Sequence, residues 1–260
     1  MSAAFDQEAP PRRLSHATAL ARSAWTWALD LVFPPSCLAC RAAVGAVGGL
    51  CPACWGAMRF IDKPYCERLG TPFDADFGGE MISAAAAEDP PVYRRARAVA
   101  RFEDGPARRL VHRLKYSDRT DLARPMAAWM ARAGGELLAE CDVIAPVPLH
   151  AGRLLRRQFN QAAALAGAVA AKSGRPLALA ALRRVKATKS QVGLTKLSRA
   201  ANVQGAFAVG DEAAVRGKRV LLVDDVLTSG ATVNAASRAL LRAGAKNVDV
   251  LVFARVVTRA

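Results

Sequence analysis

Val220-Leu221-Leu222-Val223-Asp224-Asp225-Val226-Leu227-Thr228-Ser229-Gly230-Ala231-Thr232 is the stretch that decides the fold. An apolar run ends in two carboxylates, a short Thr/Ser/Gly turn follows, and a helical pattern starts at about Ala231. This order predicts a buried strand, a loop and a helix N-terminus in succession. Free backbone N–H groups and hydroxyls at such a loop make a socket for a phosphate. Two carboxylates beside it suit vicinal sugar hydroxyls or a bridging magnesium ion. Together they suit a ribose-5-phosphate group. The plainer alternative is an ordinary strand-to-helix turn ending in an acidic pair, and the strand–loop–helix context favours the site.

Outward from this stretch, Arg219 to Val223 and Val248 to Ala254 read as strands flanking a helix over Ala231 to Ala243. Arg97 to Phe102 and Val143-Ile144-Ala145 read as further strands. Ser15 to Phe33, Pro106 to Tyr116, Leu122 to Leu138 and Gln158 to Ala171 read as helices. Strands alternating with helices predict an α/β fold, a mostly parallel sheet covered on both faces. Thr71 to Pro91, rich in Gly, Ala, Pro and acids, reads as linker or loop. The expected organisation is an N-terminal helical extension over 1–33, a ribbon over 34–70, a linker over 71–92 and the α/β domain over 93–260. No internal repeat is visible.

The cysteines carry the second signal. Cys37-Leu38-Ala39-Cys40 and Cys51-Pro52-Ala53-Cys54 are two C-x-x-C pairs with a short Gly-rich connection. Each pair can form a knuckle whose thiolates point at one ion, and two knuckles complete a tetrahedron around zinc. A disulfide or a redox pair is the alternative. A loop-rich segment with few core residues needs such a staple. Cys66 could open another knuckle, but the residue three positions on is Leu69. Cys141 precedes a strand and reads as a small buried hydrophobe.

The chain has 260 residues, 52% of them hydrophobic, enough to bury a full core in one large domain plus a small one. The net charge of +15 favours a polyanionic partner. From Ala151 to Gln204 there is no Asp or Glu, while Arg153, Arg156, Arg157, Arg183, Arg184, Lys186 and Lys189 all fall there. A second basic cluster, Arg94, Arg95, Arg97, Arg101, Arg108, Arg109, Arg113 and Lys115, is opposed locally only by Glu103 and Asp104. Such stretches neutralise phosphates or are simply solvated faces, and stacking aromatics are scarce, with Phe159 and Tyr116 the main candidates. No apolar run is long enough to span a bilayer; the best, Trp25 to Phe33, is short and contains Asp30. Arg12-Arg13 before a weakly apolar Ala-rich stretch makes a poor export signal, so a cytoplasmic protein is expected.

The acidic strand end and its loop closely resemble the phosphoribosyl pyrophosphate (PRPP) motif of type I phosphoribosyltransferases. That resemblance implies that Asp224 and Asp225 face the ribose hydroxyls and that Thr228, Ser229, Gly230, Ala231 and Thr232 wrap the 5-phosphate. It implies that the turn with Val147, Pro148, Leu149 and His150 cups the pyrophosphate, and Mg²⁺ would accompany PRPP. Arg183 to Asn202 stands where a mobile loop closes over PRPP, with Lys196 and Arg199 as its candidate cations. A cysteine-rich zinc ribbon ahead of such a domain resembles the ComF family of competence proteins. Further carriers are Phe33-Pro34-Pro35, Pro64-Tyr65-Cys66, Leu114-Lys115-Tyr116, Pro146-Val147-Pro148-Leu149-His150, Arg157-Gln158-Phe159-Asn160-Gln161 and Gln191-Val192-Gly193-Leu194.

The family resemblance implies a DNA-uptake factor with PRPP or a related phosphoribosyl ligand and single-stranded DNA as partners, and competence or recombination proteins as further ones. The second reading, from a different class, is a working Mg-dependent phosphoribosyltransferase that passes ribose-5-phosphate to a nitrogen acceptor. An acceptor pocket discriminates the two, and no nucleobase hood is recognisable in the sequence.

Overall fold

The computed structural model describes residues 34–76, 78–116, 120–149, 159–186 and 203–257. In chain order the helices are α1 (Pro52–Gly56), α2 (Ala84–Glu88), α3 (Pro106–Tyr116), α4 (Ala123–Ala133), α5 (Gly135–Glu140), α6 (Gln161–Ser173) and α7 (Ala231–Arg242). The strands are β1 (Ala96–Arg101), β2 (Val143–Pro146), β3 (Leu182–Arg184), β4 (Phe207–Val209), β5 (Arg219–Leu227) and β6 (Asn247–Arg255).

Four strands form a wholly parallel sheet in the order β1-β6-β5-β2. Leu221 and Val223 of β5, with Leu251 and Phe253 of β6, enter one core together with α3, α4 and α6. Their neighbours Val220, Leu222, Val250 and Val252 enter the other, under α7. A two-residue period with both faces apolar is what a sheet covered on both sides requires. The predicted α/β architecture is therefore present.

The stretch expected as one helix over Leu122 to Leu138 is a 3₁₀ turn followed by α4 and α5, broken at Gly134. A Cβ there would lie 2.7 Å from the Leu251 side chain, so the break lets the backbone sit against the sheet. The short antiparallel hairpin β3–β4 was not anticipated; Arg183 and Arg184 lie on it.

Residues 34–76 pack onto the open edge of β1. Arg101 N–H donates to Arg59 O at 2.8 Å and Ile61 N–H to Val99 O at 2.9 Å, while Ala96 N–H donates to Arg68 O at 2.9 Å. Cys37, Cys51, Cys54 and Met58 belong to the same core as Val99, Leu110 and Phe253, so the ribbon and the sheet share one interior. Trp55 stacks toward Phe60 and Trp129, and Trp129 toward Phe253, with ring centroids 5.0, 6.3 and 6.1 Å apart.

The structure reveals an internal repeat that the sequence conceals. Around Cys37, its N–H donates to Ala42 O, Arg41 N–H donates back to Cys37 O, and Arg41 turns left-handed at φ 69°. Around Cys66, its N–H donates to Thr71 O, Gly70 N–H donates to Cys66 O, and Gly70 sits at φ 64°. The flanking bridges Ser36↔Ala43 and Tyr65↔Pro72 also correspond. In the first copy the Cys51 side chain caps α1; in the second the Ser83 hydroxyl caps α2. Cys37, Cys40, Cys51 and Cys54 are thus answered by Cys66, Leu69, Ser83 and Ala86. Part of the stretch expected as linker, with α2, completes this second ribbon.

Candidate metal centre and phosphoribosyl site

The Cys37, Cys40, Cys51 and Cys54 sulfurs lie within 4.8 Å of one another, and only Cys40 is exposed. Cys40 Sγ and Cys51 Sγ are 3.6 Å apart. All six cysteines among the described residues are free thiols. Four thiols this close cannot all ionise without a cation. Burial raises Cys37, but backbone N–H groups of Cys40, Cys51 and Ala39 outweigh it and hold the thiol down at about 6. Burial and the neighbouring thiols push Cys54 up to about 12. The donor set and its convergence fit one tetrahedral zinc.

The second ribbon is built differently. Cys66 is fully buried, and its sulfur accepts from Leu69 N–H at 3.4 Å and from Ser83 N–H and Oγ–H, both at 3.3 Å. Burial raises this thiol, yet the Ser83 and backbone hydrogen bonds prevail and lower it. Leu69 and the buried Ala86 offer no donor where a metal would need one. One thiol and one hydroxyl, already satisfied by protein hydrogen bonds, do not make a zinc site.

The second site forms at the C-terminal end of the parallel sheet. Here β5 delivers Asp224 and Asp225 and runs on to Leu227, longer than expected. Asp225 N–H donates to its neighbour's Asp224 Oδ1 at 2.8 Å. Gly230 then takes φ 79°, which a side chain would strain, and α7 begins with no side-chain cap. The N-terminus of α7 thus faces this loop, and its N-cap residue offers no side-chain acceptor. Ser229 Oγ is buried without a hydrogen-bond partner, and so is Asp225 Oδ2. Thr228 is exposed at the rim, and Thr232 lies half-buried in the first helical turn. Orphaned polar atoms beside a helix N-terminus are what an anionic, hydroxyl-bearing ligand would satisfy.

Beside this loop, Val147 N–H donates to Val223 O at 2.9 Å, and Asn160 Nδ2–H donates to Val147 O at 3.1 Å. Pro148 and Leu149 follow, half-buried, next to the acidic strand end. Burial and the Asp225 carboxylate push the Asp224 carboxyl up to about 7, while the charges of Lys115 and Arg184 pull against them. Lys115 Nζ lies 2.7 Å from Asp225 Oδ2, off the direction a hydrogen bond prefers, so that oxygen keeps hydrogen-bonding capacity. Neither Lys115 nor Arg184 was expected at the acidic pair. Arg184 read as a nucleic-acid cation, and its guanidinium also lies 5.3 Å from the Phe207 ring. A groove of about 1080 Å³ opens from Ser229 between α7 and the hairpin, edged by Phe207, Asn234, Arg238 and Arg242.

The basic cluster over residues 94–115 is largely neutralised, against the sequence expectation. Arg94 and Arg95 form ion pairs with Glu140 at 2.7 and 2.8 Å, and both approach Asp249. Arg97 is buried between Glu67 and Glu136 and stacks on Tyr65. Arg108 pairs with Asp104, Arg113 donates to Leu38 O, and Lys115 pairs with Asp225. Apart from Asp104, the opposing acids come from remote segments, which is why local charge counting missed them. His150, Arg153, Arg156, Arg157, Lys189, Lys196, Arg199 and the helix over Ser15 to Phe33 lie outside the described residues.

A parallel sheet carrying an acidic pair near the end of one strand, followed by a phosphate-type loop, with a cysteine ribbon sealed to the sheet edge, defines the class: a zinc-ribbon protein carrying a phosphoribosyltransferase-like domain. The double zinc ribbon domain family matches residues 28–86, and the phosphoribosyl transferase domain family residues 160–259. DNA utilization protein YhgH of Escherichia coli O157:H7 is 31% identical over 236 residues, spanning 87% of this chain and 100% of that one. Competence protein F of Haemophilus influenzae is 28% identical over 228 residues, spanning 84% of this chain and 96% of its own. The chain belongs to the ComF family of competence proteins. Among solved structures, the allosteric regulatory enzyme of purine biosynthesis aligns at 22% identity and TM-score 0.36, over 55% of this chain and 30% of that one. TT1426 from Thermus thermophilus aligns at 19% identity and TM-score 0.33, over 53% of this chain and 85% of that one. No helix among the described residues is long and apolar enough to cross a membrane.

Proposed function

We propose that this protein is a DNA-uptake factor that binds PRPP with Mg²⁺ at the acidic strand end and single-stranded DNA on its basic surface. The observation that carries the ligand reading is one juxtaposition. The orphaned Ser229 hydroxyl and the N-terminus of α7, which has no side-chain cap, follow the Asp224-Asp225 pair directly at the end of β5. In this reading the α7 amides, Thr228, Ser229 and Thr232 hold the 5-phosphate, and Asp224 and Asp225 hold the ribose diol. Pro148 and Leu149 flank the pyrophosphate. Magnesium, when bound with PRPP, offsets the pyrophosphate charge.

Affinity for Mg–PRPP should depend on pH with a definite sign. Burial and the Asp225 carboxylate push the Asp224 carboxyl up to about 7, and a cation or a diol donating hydrogen bonds prefers it ionised. Below that pH a proton must leave on binding, so affinity should fall about tenfold from pH 8 to pH 6. Calorimetric titration across that range checks this, with Asp224→Asn flattening the profile. A pyrophosphate-release screen with bases and amines in the same solutions separates binding from turnover.

The DNA reading is supported by the names of the relatives, the +15 charge and the exposed cations bordering the groove. Arg238 and Arg242 lie about 6 Å apart along α7, one helical turn. Arg183 is exposed on β3 and Lys186 is exposed two residues past its end. Binding to a labelled oligonucleotide, read by fluorescence anisotropy, should fall steeply with salt as neutralised phosphates release counterions. Replacing Arg183, Arg184, Lys186 and Lys189 by Gln should flatten that slope while leaving zinc content unchanged. No binding by the wild type at low salt would remove DNA from the proposal.

A further inference from the structure

We propose that Lys115 is a positioning residue of the phosphoribosyl site, and that the zinc ribbon sets its place through α3. This rests on the phosphoribosyl reading of the acidic pair for its ligand, though not for its geometry. Helix α3 touches both sites. Near its middle, Arg109 Nη2–H points at Cys54 Sγ, 3.7 Å away, and Arg113 donates to Leu38 O inside the first knuckle. Near its end, Lys115 reaches Asp225. The inner face, Leu110, Val111 and Leu114, is wholly buried against the core that includes the ribbon cysteines.

The geometry makes this more than a structural tie. From Arg109 to Lys115 the helix rises about 9 Å, less than two turns, and a helix that short transmits a displacement with little bending. Lys115 is about one-fifth exposed and Asp225 less than one-tenth, so the pair is little screened by solvent. The paired lysine draws charge out of two adjacent carboxylates that would otherwise repel each other and the pyrophosphate. It also fixes the rotamer of Asp225. A ribbon that loses its metal or its grip on Arg109 and Arg113 would move this lysine. Zinc loading would then tune a ligand site to which zinc contributes no ligand atom.

The test uses full-length, zinc-loaded protein and two readouts. In timed acetylation followed by mass spectrometry, Lys115 should label several-fold more slowly than exposed Lys172. The Arg109→Gln, Arg113→Gln variant should raise Lys115 labelling toward that of Lys172 at unchanged zinc content. Should that variant shed zinc, Arg113→Lys is the milder change, expected to act in the same direction. In calorimetry with saturating Mg²⁺, Lys115→Gln should weaken PRPP about ten- to hundredfold. Lys115→Arg should restore it to within a few-fold, and the Arg109→Gln, Arg113→Gln variant should also weaken it. A Lys115→Gln protein binding PRPP as the wild type does would overturn the role at the ligand. Lys115 labelling as fast as Lys172 in the wild type would overturn the pairing with Asp225, and labelling unchanged in the Arg109→Gln, Arg113→Gln variant would overturn the coupling. If the wild type binds no PRPP, the phosphoribosyl reading fails. The labelling arm then still decides whether ribbon and acidic pair are joined.

Discussion

Cys51→Ser protein should lose its zinc and melt at least about 10 °C below the wild type. A structural zinc contributes on the order of 10 kcal/mol to the folding of a small ribbon, as much as the whole net stability of a typical domain. At roughly 2–4 °C per kcal/mol for a chain of this size, even half of that contribution gives a shift this large. The effect should reach beyond the ribbon, because Cys37, Cys51 and Cys54 lie in one core with Val99, Leu110 and Phe253. Trp55, directly after Cys54 and 6.3 Å from Trp129, provides a fluorescence signal for the undocking. Metal analysis of freshly purified protein should give one zinc per chain. Two would contradict the reading of the second ribbon, and near zero would contradict the first. Cys66→Ser should leave the metal content alone.

The second large effect is expected at the ligand site. Asp224→Asn with Asp225→Asn should weaken PRPP binding by about 2–4 kcal/mol, since charged hydrogen bonds are the strong ones and contacts through a bound cation add to them. The fold should survive, because Asn is close to Asp in shape and the apolar residues of β5 on both sides of the pair keep their packing. A modest loss of stability, about 1–3 kcal/mol, should follow from leaving Lys115 without its partner. Calorimetry and thermal melts separate the two. Unchanged PRPP affinity in the double variant would remove the basis for the ligand reading.

These sites differed in how far the sequence exposed them. The strand, loop and helix from Val220 onward and the two C-x-x-C pairs are local signals, each complete within a short segment. Chain order suffices to read them. Lys115 and Arg184 at the acidic pair are not local; only folding brings α3 and the β3–β4 hairpin to the end of β5. The same limit explains the basic cluster, where Glu67, Glu136, Glu140 and Asp249 supply charges that no window around Arg94 to Lys115 contains. The repeat of the knuckle was hidden for another reason. The residues that mark a ribbon in sequence are its ligands, and Leu69, Ser83 and Ala86 have replaced three of them. The backbone hydrogen bonds that make the turn leave no such mark.

The covering of β1 has a consequence for the behaviour of the protein in bulk. A parallel sheet ends in a row of unsatisfied amides and carbonyls, and such a row is a template on which a second molecule can add a strand. Here residues 59–61 and Arg68 occupy the row. Their hold depends on a ribbon that zinc closes. Chelation would therefore bare a sticky margin as well as loosen a small fold, and the first visible sign of zinc starvation should be turbidity.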